Sequence, residues 1–250
     1  MSSAELSGAR RKRGGISRAG QLLALLALVA AAQTAAAQNS RPAPAHGTSQ
    51  GQRAEGANFR GESASTDVRG IADWIVSSGD NHDLPFTIID KMNAKLFVFD
   101  RGGQLRGAAA ALLGIGRGDD TAPGIGQRRL AMIRPNERTT PAGRFEASLG
   151  HDFEQDILWV DYKSALSLHR VVTGNPKDRR QQRLASATPL DNRISYGCIN
   201  VPAEFYDKVV IPTFTGTIGI VYILPESKSV GEVFAIPSHA VSARQFPAPD

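Results

Sequence analysis

Val68, Ile71, Trp74 and Ile75 recur at intervals of three and four residues, a spacing that predicts one short helix with Asp67 as its N-cap and Gly79 as its stop. After it the period shortens. Apolar positions crowd into runs rich in β-branched and aromatic residues, "FTIID" (86–90) and "KLFVFD" (95–100), joined by the polar turn "KMNA" and followed by "RGGQ" and "LRGAAAALLG". This pattern predicts a β-meander. Further strands are predicted at "RLAMI" (129–133), "RFEASL" (144–149), "ILWVDY" (157–162), "ALSLH" (165–169) and "TIGIVYIL" (217–224). Several are apolar on both faces, as strands buried between layers are. A second helix is expected over "PAEFYDKVV", with Pro202 at its first position. Together these elements predict a mostly β, sandwich-like domain over residues 67–225 with a few short helices.

The flanks read differently. Residues 38–66 are dominated by Ser, Gly, Ala, Gln, Arg and Pro, with Phe59 as their only large apolar side chain, so a flexible linker is expected. A C-terminal tail is expected from 226 to 250. Residues 1–37 run from a basic cluster through an apolar stretch, Leu22 to Ala32, to Ala35, Ala36 and Ala37, the layout of a secretory signal peptide. An uncleaved membrane anchor is the competing reading, disfavoured by the shortness and alanine content of the apolar stretch. No other run is long enough to cross a bilayer, so no stable span is expected after signal cleavage, and the product is expected in the periplasm or cell envelope.

Export also changes the charge argument. Arg10, Arg11, Lys12, Arg13 and Arg18 against Glu5 give the leader +4 of the chain's +5, leaving +1 for the rest. The basic balance therefore belongs to the leader and gives no support for nucleic-acid binding.

Several patterns invite a cofactor or metal and fail on spacing. In "LLGIGRGDDTAPGIG" Asp119 stands where a dinucleotide-binding loop needs its third glycine, and no phosphate-loop lysine follows. "SGDNHD" around His82 has ligand residue types without ligand spacing, so a turn is expected and no metal or organic cofactor. Nucleophilic catalysis remains. Cys198 is the only cysteine, so an exported chain cannot pair it internally. In "ISYGCINVP" it follows Gly197 and precedes the helix start at Pro202, a setting that favours a thiolate; a buried structural cysteine is the alternative. Of the five histidines, His46, His82 and His239 fall in the linker, a turn and the tail. His169 lies on a strand, sharing a face with Ser167 opposite Leu166 and Leu168. It is the candidate base, with His151 in reserve.

"SYGCINV", the upstream histidine, "FTIIDKMNAKLFVFDRGGQL" and "TTPAGRF" resemble, in order and over about 84–224, the L,D-transpeptidase (YkuD-like) catalytic domain of bacterial cell-wall enzymes. The resemblance implies Cys198 as nucleophile and His169 as base, its ring oriented by the carbonyl of Arg170. It implies backbone amides around Gly197 and Cys198 as oxyanion donors, and Ser195, Tyr196 and Asn200 at the motif's remaining positions, contacting substrate. The implied substrates are peptidoglycan stem peptides, and carbapenem-type β-lactams are implied inhibitors. A hydrolase on the same fold, or an inactive wall-binding protein, are the alternatives. Two departures stand out. Tyr196 occupies the usual position of a histidine, and the segment between His169 and Cys198 is long, carrying Arg179, Arg180 and Arg183. As a surface lid, those arginines are expected to meet substrate carboxylates.

Overall fold

The computed structural model describes residues 56–152 and 155–236. The leader, the first part of the expected linker and the end of the tail lie outside them. Among the described residues there are ten strands: β1 (Phe86–Asp90), β2 (Lys95–Phe99), β3 (Leu105–Ala110), β4 (Leu113–Gly114), β5 (Gly143–Asp152), β6 (Gln155–Asp161), β7 (Leu166–Arg170), β8 (Arg193–Ser195), β9 (Ile199–Val201) and β10 (Ile218–Ile223). Eight form one sheet in the order β3-β2-β1-β10-β5-β6-β7-β9, with β1–β10 and β7–β9 parallel and the other pairs antiparallel. The sheet curls until its ends meet. Just beyond β3, Leu112 donates its N–H to the Asn200 carbonyl at 2.8 Å and accepts that of Asn200 at 2.9 Å, linking one edge to the other. The expected mostly β class, with a few short helices, holds.

Strand alternation explains what each face does. Leu96, Val98, Val221, Ile223, Ala147, Leu158, Leu168 and Ile199 point into the curl and form one buried core with Tyr206, Val210 and Phe214. Those three come from a continuous helical stretch made of α3 (Ala203–Phe205), a π-helical turn (Tyr206–Val210) and α4 (Ile211–Phe214); α2 (Arg180–Leu184) lies before it in the chain. On the outer face of β1, β2 and β10, a second core joins Phe86, Ile88, Phe97, Phe99 and Tyr222 to the apolar side of α1 (Thr66–Ser78) and to Phe234 of α5 (Val230–Phe234). The outer face of β6 and β7, with the end of β5, borders an open cleft instead. It is left for the site.

Four expectations change. The helix cap is Ser65, whose hydroxyl accepts the Val68 N–H at 3.3 Å and donates to Asp90 at 2.7 Å; Asp67 falls in the first turn, where its charge suits the helix dipole. Residues 56–65 are packed, because Phe59 sets its ring edge-on to Phe97 and Phe99 at 5.9 and 5.2 Å and Asn58 bridges to Gln104. After Leu224 the chain continues into α5, with Phe234 and Ile236 buried. The strand expected at "RLAMI" is a 3-10 turn, Leu130–Met132, with Leu130 and Met132 exposed. Among the described residues no helix is long and apolar enough to cross a membrane.

Below the sheet's inner end sits a buried group of charges. Lys91, its side chain 0% exposed, donates to Asp119 at 2.7 Å and to the carbonyls of Gly118 and Thr140 at 2.8 and 3.0 Å. Asp119 also accepts the N–H groups of Glu226, Ser227 and Lys228 and the Ser227 hydroxyl, and Arg193 reaches Glu226 at 2.6 Å. This network ties the end of β1 to the long segment between β4 and β5, to β8 and to the chain after β10. An unpaired lysine here would cost several kcal/mol; the carboxylates and carbonyls around it offset part of that cost, and burial still holds the Lys91 ammonium below its ordinary value.

Candidate active site

Parallel pairing of β7 with β9 sets Leu168 opposite Ile199 and His169 opposite Asn200. Leu168 and Ile199 point into the core, so Ser167, His169 and Asn200 point out, and Cys198, one residue before β9, joins them. The result is a cleft of about 700 Å³ whose lining includes Cys198, His169, Ser167, Trp159, Ile157 and Val172. His151 stands on β5 in the alternation of Ala147, facing away from this cleft.

The half-buried Cys198 sulfur accepts from the Ser167 hydroxyl at 3.5 Å, and its S–H reaches the Ala165 carbonyl at 3.5 Å. Ala165 holds a φ of 52°, a left-handed conformation that costs a residue with a side chain energy and aims that carbonyl at the thiol. Burial alone would push the Cys198 thiol up. Hydrogen bonds from His169 and Ser167, with the charge of His169, outweigh it and bring the thiol below its ordinary value. On the ring's other side, His169 Nδ1 lies 2.7 Å from the Arg170 carbonyl. A carbonyl only accepts, so Nδ1 carries a proton, and in the neutral ring the lone pair is therefore on Nε2.

The turn before Cys198 is held from below. Thr140 accepts the Gly114 N–H at 2.9 Å through its hydroxyl and donates that hydroxyl to the Gly197 carbonyl at 2.7 Å. With that carbonyl tied back, the trans peptide directs the Cys198 N–H the opposite way. The Gly197 N–H, read from sequence as an oxyanion donor, instead donates to the Ser195 hydroxyl at 3.1 Å. Gly197 has a φ of 133°, and a Cβ there would sit 2.7 Å from the Thr139 carbonyl oxygen. Gly197→Ala should therefore cost about 1–3 kcal/mol in thermal unfolding and slow alkylation of Cys198, because the turn must shift.

The other expected residues divide. Ser195 and Asn200 are buried and spend their polar groups on the chain itself: Ser195 donates to the Cys198 carbonyl at 2.7 Å, and Asn200 Nδ2 donates to the same carbonyl at 3.2 Å and lies 3.4 Å from His169 Nε2. Neither side chain is open to substrate, a correction to the sequence reading. Tyr196 is exposed under the Arg138 guanidinium, 3.9 Å from its ring centre, and lines a small recess on the other side of Cys198. The expected arginine lid is a folded segment in which two of the three arginines serve the chain itself. Arg180 donates to Asp178 and to Asn200, and Arg183 to the carbonyls of Asp178 and Asp191. Arg179 is exposed at the end of a short 3-10 turn and borders a shallow pocket with Gln182 and Ser186. Sequence reasoning missed Thr140 and Lys91. "TTPAGRF" carried the threonine, but nothing in the sequence spacing links either residue to the cysteine turn.

No family model matches the chain, and no curated protein matches it. Among solved structures it is similar to the helical cell shape determining protein Pgp2 (K307A mutant) of Campylobacter jejuni, at 10% identity over 65% of this chain and 57% of that one, with a TM-score of 0.38. It is also similar to the catalytic domain of an Enterococcus faecium L,D-transpeptidase, at 14% identity over 57% of this chain and 98% of that one, TM-score 0.34. A third likeness is to the L,D-transpeptidase LdtMt1 in complex with imipenem, at 13% identity over 56% and 58%, TM-score 0.32. The chain thus spans little more than half the length of the first and third of these.

Proposed function

We propose that this protein is an exported cysteine acyltransferase, an L,D-transpeptidase acting on peptidoglycan stem peptides. The observation that carries the reading is the shared outward placement of Ser167 and His169 on β7 and of Cys198 just before the neighbouring parallel strand β9, in a cleft large enough for a short peptide. The resemblance of "SYGCINV" and its flanking segments supplies the substrate class.

In this reading the Cys198 thiolate attacks the carbonyl joining the third residue of a stem tetrapeptide to its terminal D-alanine, while His169 Nε2 holds the thiol's proton. The Cys198 N–H faces the developing oxyanion. Collapse of the tetrahedral intermediate breaks the C–N bond, the proton passes from His169 to the departing amine, and D-alanine leaves. The thioester then passes to an amine of a second stem peptide, cross-linking third residues and regenerating the thiol. Neither step requires a metal or organic cofactor. Carbapenem-type β-lactams, which mimic the acyl donor, would stop at the acyl-enzyme. Export places the enzyme in the periplasm or cell envelope with its substrate.

Intact-mass measurement after exposure to a carbapenem tests the nucleophile: one adduct is expected on the protein and none on Cys198→Ala. Incubation with tetrapeptide muropeptides tests the transfer, with cross-linked dimers expected. Tripeptide alone in the presence of abundant acceptor would assign hydrolysis instead.

A further inference from the structure

We propose that Arg180 is a positioning residue which, through Asn200, fixes the ring tautomer of His169; the proposal rests on the reading of His169 as the base. Arg180 opens α2, within the long segment between His169 and Cys198. Its Nε donates to Asp178 Oδ2 at 3.0 Å and its Nη1 to Asn200 Oδ1 at 2.9 Å. A guanidinium can only donate, so the oxygen of the Asn200 amide must face it and the NH2 group must face away. Facing away from Arg180, that NH2 reaches the Cys198 carbonyl at 3.2 Å and His169 Nε2 at 3.4 Å.

Both hydrogen-bonding contacts of the ring nitrogens then favour the same tautomer. The Arg170 carbonyl requires a proton on Nδ1, and an N–H donor beside Nε2 requires a lone pair there. A base that takes the Cys198 proton needs that lone pair. If the amide turned over, its oxygen would invite a proton onto Nε2, and the base would be filled before reaction. Asn200 is 1% exposed and cannot exchange its partners with water, so the donor behind it decides its orientation. The segment that lengthens the His169–Cys198 spacing thereby delivers a guanidinium to the back of the site. Arg180 acts through Asn200 and does not touch substrate.

The test reads the ring itself. Long-range 1H–15N correlation on histidine-labelled protein, with His169 assigned by its loss in His169→Gln, should show a single Nδ1–H tautomer in the resting protein. Arg180→Met should bring in the Nε2–H or doubly protonated form and slow acylation by a saturating carbapenem about 10-fold or more. Arg180→Lys, which keeps one donor, should recover part of both. Circular dichroism identifies folded variants, and Asn200→Asp gives an independent arm: it keeps the contact with Arg180 but presents an acceptor to Nε2, and should protonate that nitrogen. A single unchanged tautomer in Arg180→Met and in Asn200→Asp would overturn the proposal. So would a loss confined to carbapenem affinity with the tautomer intact, which would make Arg180 a substrate-binding residue. Because the tautomer is read without turnover, a protein that forms no adduct would overturn the proposed function while this readout still decides the role of Arg180.

Discussion

Replacing His169 by alanine is expected to slow acylation of Cys198 by a carbapenem by a factor of about 10² to 10⁴, the usual contribution of a positioned acid–base group. The reason is local to the outer face of β7. Two influences hold the thiol below its ordinary value, hydrogen bonding and charge from His169 and hydrogen bonding from Ser167, and both work against burial. Removing the imidazole leaves burial, which raises the thiol, opposed only by Ser167. The midpoint of alkylation against pH should therefore move upward in His169→Ala, so that less thiolate is present at neutral pH. Iodoacetamide alkylation followed by intact mass across pH 5–10 measures this directly. His151→Ala, on the opposite face of its strand, should leave both quantities unchanged. An acylation rate retained in His169→Ala and lost in His151→Ala would reverse the assignment.

The second large effect is on stability. Asp119→Ala should cost about 3–5 kcal/mol, since it leaves the wholly buried Lys91 ammonium without its closest counter-charge and strips the backbone N–H groups of 226–228 of their acceptor. In a domain of this size that is a fall in Tm on the order of 10 °C. Paired replacement, Lys91→Met with Asp119→Leu, should cost less than Asp119→Ala alone, because no charge is then stranded. The pH dependence follows with a definite sign. Burial would raise the Asp119 carboxyl, but the Lys91 ammonium, the Ser227 hydroxyl and the N–H groups of Glu226 and Lys228 hold it well below the usual carboxylate range. A group depressed in the folded state stabilises above its unfolded value, about 4, and loses that contribution as pH falls from there toward its folded value. Differential scanning calorimetry between pH 7 and pH 3 should show a Tm that declines in the parent and declines less in Asp119→Asn. Equal slopes would remove Asp119 from the groups that set acid stability.

What could be read from the sequence was decided by how local its cause is. Runs such as "KLFVF" and "TIGIVYI" fill both faces of a strand with branched and aromatic side chains, so they identify themselves without reference to the rest of the chain. "RLAMI" has the same alternation and forms a 3-10 turn, because periodicity says nothing about whether a neighbouring strand exists to pair with. Phe59, alone among polar residues, was insufficient to signal order in its segment, yet two phenylalanines on β2 give it a place to pack. At the site, the motif drew attention to Cys198, and alternation on "ALSLH" singled out His169. The motif could not say which polar groups would be consumed internally. Ser195 and the Gly197 N–H are consumed inside the turn itself, two and three residues apart, and Asn200 meets His169 only once β7 and β9 have paired.

The pair of hydrogen bonds between Leu112 and Asn200 has a kinetic consequence. It joins parts of the chain distant in sequence, and such contacts form late because the entropy of closing a long loop must be met before they contribute. Asn200 is also the residue that touches His169 and the Cys198 carbonyl. Reactivity of the thiol should therefore appear only with the final stage of refolding, after the central strands have paired. Timed alkylation during refolding, set beside tryptophan fluorescence from Trp74 and Trp159, would make Cys198 a clock for closure of the sheet.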